Sequence, residues 1–188
     1  MSGRAPRDQD LLDEVDALAR VEFTGSVWRV VRSGRDPLQP SNVSGRWDMA
    51  AGNALYTSLE PDGAIAEMHF RLQQEPVFPS RYEAVLYKLH VSTSDLVRFD
   101  DFVALQPLGV DVAEYDGLLY QRTQIIGDAV QFLGFSGLIA PNARWRCLNL
   151  VLYEIDPRKI DILDQEPVDW PIWRARTAPI RRAAISRG

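Results

Sequence analysis

The chain has 188 residues, 46% of them hydrophobic and 25% charged, with a formal net charge of -5. That composition is globular, is long enough to bury one real core, and argues against a general nucleic-acid binder. A single cysteine, Cys147, excludes an internal disulfide, no apolar run reaches the ~18 residues of a membrane span, and the two histidines, His69 and His90, show no metal-ligand spacing.

The N-terminal stretch MSGRAPRDQDLLDEVDALAR mixes acids and bases and carries no secretory pattern, so a reducing cytoplasm is the expected compartment. Leu11, Leu12, Val15, Leu18 and Ala19 recur at helical spacing and predict an amphipathic helix over Gln9–Val21. SVWRVVR (Ser26–Arg32) is β-branched and aromatic and predicts a strand. GRDPLQPSNVSG is loop, rich in Gly, Pro, Ser and Asn, and ALYTS (Ala54–Ser58) is a short strand. A helix follows, with Ser58 or a neighbour as cap, Pro61 in the first turn, and Ala64, Ile65, Met68 and Leu72 on one apolar face. At about 100° per residue, Glu67 borders that face and can look into a cleft.

RYEAVLYKLHV (Arg81–Val91) predicts a strand, and QRTQIIGDAVQFLGF (Gln121–Phe135) a second helix with Gly134 near its end. SGLIA and CLNLVLYEI are apolar strand-like runs separated by PNARWR. Short strands alternating irregularly with helices imply an α+β domain with mixed or antiparallel sheets rather than a doubly wound parallel fold. Past Asp156 the pattern weakens, and from Arg174 to Gly188 come five arginines and no acid. The organisation expected is an N-terminal helix in 1–25, a core in 26–156, and an extension with a basic tail in 157–188. Trp170 and Trp173 in DWPIWRAR are apolar anchors for a partner or for the chain itself, with the terminal residues disordered.

No G-x-S-x-G elbow, P-loop or G-x-G-x-x-G is present. Cys147 opens an apolar strand and reads as a small buried residue, and each histidine reads more simply as core or solvated than as a general base. Any chemistry must therefore run on arginine, carboxylate, aromatic and amide groups.

The pieces SGRWD, ALYTSLEPDGAIAEM, TQIIG and GFSGLIAPNARWRCLNLVLYE, in that order, resemble the RES-domain proteins, bacterial toxins named for Arg, Glu and Ser. The resemblance implies a fold like that of ADP-ribosyltransferases such as diphtheria toxin. It implies NAD as substrate, cleaved at the nicotinamide–ribose bond without a metal. It also implies an Xre-type antitoxin that covers the active site, with an oligomer formed only through that antitoxin. By motif, Arg46 of GRW and Glu67 of AIAEM fill the Arg and Glu positions, Arg29 matches an arginine of the first strand, Tyr56 matches the LY aromatic, and Thr123 and Gln124 match a TQ pair. Where the family tends to have PSAR this chain has PNAR, so Asn142 replaces the name-giving serine.

These residue types suit that chemistry. Loss of nicotinamide leaves an oxocarbenium-like centre that a fixed carboxylate stabilises, and nicotinamide departs neutral, so no general acid is needed. Glu67 fits this role; the alternative is a surface i,i+4 ion pair with Arg71. Arg29 and Arg46, then Arg32, can bind the pyrophosphate bidentately. The alternatives are a solvent-facing strand arginine for Arg29 and a cation–π or loop contact beside Trp47 for Arg46. Tyr56 either stacks on nicotinamide or packs in the sheet, and Asn142 either lines the pocket or closes a turn. Asn142 lacks the family hydroxyl, which favours a protein as acceptor of ADP-ribose. A phosphorylase or glycohydrolase, and a non-catalytic nucleotide-binding relative, are the alternatives.

Overall fold

The computed structural model describes residues 7–49, 54–75 and 82–185, with side chains described to Thr177. The first helix, α1 (Gln9–Asp16), starts where the Asp8 carboxylate accepts the Leu11 N–H and buries Leu11, Leu12 and Val15. It stops earlier than its periodicity suggests. From Val21 the run VEFTGSVWRVVR is already β1 (Val21–Arg32), five residues ahead of the expected start. The cause is tertiary: β1 pairs along its length with β3 (Ala84–Arg98), from Val21 opposite Leu96 to Arg32 opposite Ala84. Arg81, where the sequence reading opens that strand, lies outside the described residues.

Between them come β2 (Leu55–Ser58) and α2 (Pro61–Gln73). Pro61 occupies the first turn of α2 as expected, and of Ser58 and its neighbours it is Glu60 that takes the N-cap position, with no side-chain cap bond. The Ser58 hydroxyl lies 3.3 Å from the Cys147 thiol instead. After β3 the chain runs through two short 3-10 turns to α3 (Gln121–Phe132), then β4 (Gly137–Pro141) and β5 (Leu148–Leu152). Gly134, with φ of 75°, turns the chain out of α3 in a conformation that suits glycine.

The strands form one six-stranded sheet in the order β1-β2-β5-β4-β3-β6, and β1 also pairs with β3. All pairings are antiparallel except β3 with β4, so the sheet is mixed and the fold is α+β. One apolar cluster draws Val27, Leu55, Leu89, Val91, Leu96, Ile139, Leu150, Leu152 and Ile160 from all six strands. A second unites α1 and α3 with Trp47, Phe99 and Val151, and a third unites α2 with Val30 and Leu86.

Two elements follow where the sequence pattern is weak. In β6 (Ile160–Pro167) only Ile160 is buried. Beyond Ile160, this outer strand is held to β3 through its backbone ladder, which needs no alternation of side chains, so no period-2 signal marks it. The basic tail, expected to be disordered, is largely helix α4 (Trp170–Ile185), while Arg187 lies outside the described residues. Trp170 and Trp173 are self-contacts: both are buried on the α2 cluster, and their ring N–H groups donate to the Tyr82 carbonyl at 3.2 Å and the Asp62 carboxylate at 3.0 Å. Arg176 pairs with the same Asp62. Replacing Trp173 with Ala should therefore cost about 3–5 kcal/mol of stability, read as a lower urea midpoint. A midpoint within error of wild type would show that α4 is not part of the cooperative unit.

Candidate functional site

The residues Gly45–Asp48 are held as a rigid corner. The buried Asp48 carboxylate accepts the Gly45 N–H at 2.7 Å and the Tyr56 hydroxyl, while Tyr56 in turn accepts the Trp47 N–H at 2.9 Å. Tyr153 donates to the Trp47 carbonyl at 2.7 Å, and Gln124 donates to the Gly45 carbonyl at 2.9 Å. Helix α3 presents Gly127 to this corner because any larger residue would collide with the Trp47 carbonyl. Trp47 itself is 1% exposed and stacks on Phe99. Arg46 is thereby projected outward between two aromatic faces, 4.5 Å from the Tyr115 centroid and 4.4 Å from that of Tyr120, and it donates to the Gly117 carbonyl at 3.3 Å.

Glu67 reaches the same place from α2. Burial pushes its carboxyl above the ordinary carboxylate range. Arg144 first, then Arg46, the Ala143 N–H and the Asn149 side chain pull it back. Arg71, the partner proposed for a surface ion pair, is exposed, and the cations whose charge reaches Glu67 are Arg144 and Arg46.

Asn142 sits beside this pair, 4% exposed. Its oxygen accepts the N–H groups of Arg144 at 2.7 Å and Trp145 at 2.9 Å, which closes the turn between β4 and β5. Its amide donates to the Asn149 side chain at 2.8 Å and towards the Gly63 carbonyl at 3.4 Å. The two sequence readings of Asn142 thus meet in one residue. It shapes the turn, and through Asn149 and Arg144 it touches what surrounds Glu67. Helix α2 approaches this turn closely at Gly63, where a Cβ would strike Ser58 and Cys147.

Arg144 and Asn149 were not singled out from the sequence. Arg144 lies in the PNAR turn beside Asn142, and Asn149 is the polar interruption of the apolar run CLNLVLYEI. Those are the signals that mark them. Arg144 lays its guanidinium 3.3 Å from the Phe70 centroid and donates to the carbonyls of Asp116 and Gly117.

The other candidates stand elsewhere or act indirectly. Tyr56 braces the corner through its hydroxyl. Gln124 does the same, and the buried Thr123 donates to the Tyr120 carbonyl at the start of α3. Arg29 is buried, donates to the Gln39 carbonyl at 2.7 Å, and has its pKa lowered to about 10 by burial and by Arg35. No described contact joins it to Glu67. Arg32 is exposed at the end of β1. His69 is buried against the rings of Trp170 and Trp173. Burial pushes the Cys147 thiol up to about 11, which leaves little thiolate at neutral pH. Among the described residues no group of three or more His, Cys, Asp or Glu is placed to hold a metal, and no helix is long and apolar enough to cross a membrane.

The family model for the RES domain matches residues 26–175, most of the chain. The protein belongs to the RES-domain family. Among solved structures it is similar to the MbcT toxin in the crystal structure of the M. tuberculosis MbcT–MbcA toxin–antitoxin complex, with a TM-score of 0.76 at 17% identity, over 89% of this chain and 97% of that one. None of the curated proteins matches it. The matched stretch reaches into α4, past the Asp156 boundary drawn from the sequence pattern.

Two outcomes follow from the site's geometry. A carboxyl whose pKa is raised by folding contributes its stability below its unfolded pKa, and that stability is lost as pH rises through the folded value. Glu67→Gln, which removes the buried charge, should therefore raise the melting temperature at neutral pH, with the gain disappearing in acid where Glu67 is already protonated. A melting temperature equal to wild type at every pH would remove the buried-charge account. Asn142→Ala should cost about 1–3 kcal/mol in urea unfolding, since two turn N–H groups lose their acceptor. Unchanged stability would show that the turn is held without it.

Proposed function

We propose that this protein is the toxin of a toxin–antitoxin pair, and that its Glu67 site splits NAD at the nicotinamide–ribose bond and passes ADP-ribose to an acceptor. The observation that carries the reading is the arrangement around Glu67: a largely desolvated carboxylate facing two arginines, at a corner braced by Asp48 and Tyr56. As the bond between the ribose C1′ and the nicotinamide nitrogen breaks, the electron pair leaves with the neutral ring and positive charge gathers on the sugar. Glu67 answers that charge at a site where water screens little. No general acid is required, in keeping with His69 packed in the core and Cys147 held as a thiol. Arg46 supplies a fixed cation for the pyrophosphate, and Arg29, buried with its guanidinium donating to the Gln39 carbonyl, is a second candidate.

The likeness to MbcT, whose solved complex is with MbcA, supports a protein antitoxin as partner; in this reading that antitoxin is of the Xre type and the compartment is the cytoplasm. The acceptor in this reading is a protein, because Asn142 brings no hydroxyl to the site, its oxygen is engaged by the turn N–H groups and its amide by Asn149.

The test is incubation with NAD, with and without phosphate and with cell lysate, following free nicotinamide and labelled protein. Release with labelling of a lysate protein is expected. Release that depends on phosphate makes the enzyme a phosphorylase, release into water makes it a glycohydrolase, and no release under any condition leaves a binding module. In the Glu67→Gln variant kcat should drop by about 100-fold or more, with NAD affinity little changed. Turnover near wild type would take Glu67 out of the mechanism.

A further inference from the structure

Glu67 faces two guanidinium groups, and the charge does not balance. Arg46 is held over Tyr115 and Tyr120, and Arg144 lies flat on Phe70. Neither arginine makes an ion pair with a described carboxylate. The hydrogen bonds they make all go to carbonyl oxygens of one short segment: Arg46 to Gly117, and Arg144 to Asp116 and Gly117. The Nε of Arg144 is buried with no hydrogen-bond partner among the described residues. A guanidinium is a rigid fork of five donors suited to a planar or tetrahedral anion. Neutral carbonyls satisfy its hydrogen bonds only in part and its charge not at all. Glu67 offsets at most one of the two cations, and leaving the other part-buried without a counter-charge is unfavourable unless an anion completes it.

The accepting segment is suited to yielding those donors. It lies between a 3-10 turn at Val112–Glu114 and the start of α3, with Asp116 exposed and the side chains of Leu118 and Leu119 58% and 75% exposed. Tyr115 just before it is anchored in the core, but from Asp116 to Leu119 little apolar surface is buried, so a displacement confined to those residues costs little.

We infer that Arg144 is a second anion-binding residue of the Glu67 site, which takes a phosphoryl group of the ligand jointly with Arg46 in exchange for the Asp116 and Gly117 carbonyls. The turn that presents it is shaped by Asn142, whose oxygen holds the Arg144 N–H, so this departure from the family serine is tied to the placement of Arg144. The inference rests on the NAD reading only for the identity of the ligand. The anion site itself stands on the geometry.

The probe is inorganic pyrophosphate, titrated calorimetrically into the full chain at constant ionic strength, with circular dichroism and melting temperature as folding checks. Wild type should bind it. Arg144→Gln should weaken binding about tenfold or more, and Arg144→Lys should restore only part, because a point charge does not reproduce the fork. Arg158→Gln, an exposed pair with Asp156, should bind as wild type does. No binding by wild type, or equal affinity in folded Arg144→Gln, overturns the proposal. Should Arg144→Gln not fold, wild-type affinity in Arg144→Lys overturns it. Pyrophosphate binding that depends on Arg144 without nicotinamide release from NAD would keep this site and remove the NAD reading. Nicotinamide release with unchanged pyrophosphate affinity in the variant would do the reverse.

Discussion

The buried contact between the Tyr56 hydroxyl and the Asp48 carboxylate is what the site depends on. Burial and the neighbouring negative charge push the tyrosine pKa up, so it stays a hydrogen-bond donor. With the Gly45 and Trp47 N–H groups also engaged, a loop four residues long becomes nearly as constrained as a strand end. Its backbone carbonyls are claimed by Tyr153 from β5's end and Gln124 from α3. Arg46 is the one long side chain of that corner left facing outward. An arginine on an ordinary loop would pay rotamer entropy to meet a ligand; here much of that ordering is complete in the folded chain.

The electrostatics around Glu67 are built by convergence of distant segments. Glu67 comes from α2, Arg46 from the loop before β2, and Arg144 and Asn149 from the β4–β5 hairpin. Desolvation raises the Glu67 pKa, and two cations oppose that shift. A carboxylate in this balance interacts strongly with any positive charge that develops beside it, because little water competes. The same desolvation is unfavourable to the fold while Glu67 is ionised.

The C-terminal part is integrated with the core by apolar burial and polar anchoring together. Trp173 and Arg176 both meet Asp62 in the first turn of α2, the helix that carries Glu67. The layer of Trp145, Trp173 and His69 lies on the same side. Helix α4 thus backs the helix that presents the candidate catalytic carboxylate, so the extension and the site share a structural element.

Much of the fold was legible in the sequence because its signals are local. The 3.6-residue spacing in α1, the Pro61 start of α2, the β-branched run of β1, and the apolar stretches of β4 and β5 are each properties of a few neighbours. The strand β6 was not, since its hydrogen bonds to β3 leave no mark on which side chains are apolar, and in the sequence α4 shows only two tryptophans and a charged tail. The site divides in the same way. Glu67, Arg46, Tyr56 and Asn142 were found through motifs, yet their division of labour was not: Tyr56 braces, Asn142 shapes a turn, and Arg144, unremarked beside it, faces Glu67. The sequence by itself determined the residue types, the α+β class and the family pattern. Only the tertiary structure decided which arginines meet the carboxylate. That depends on bringing residues 46, 67 and 144 together across three elements, and chain spacing carries no record of it.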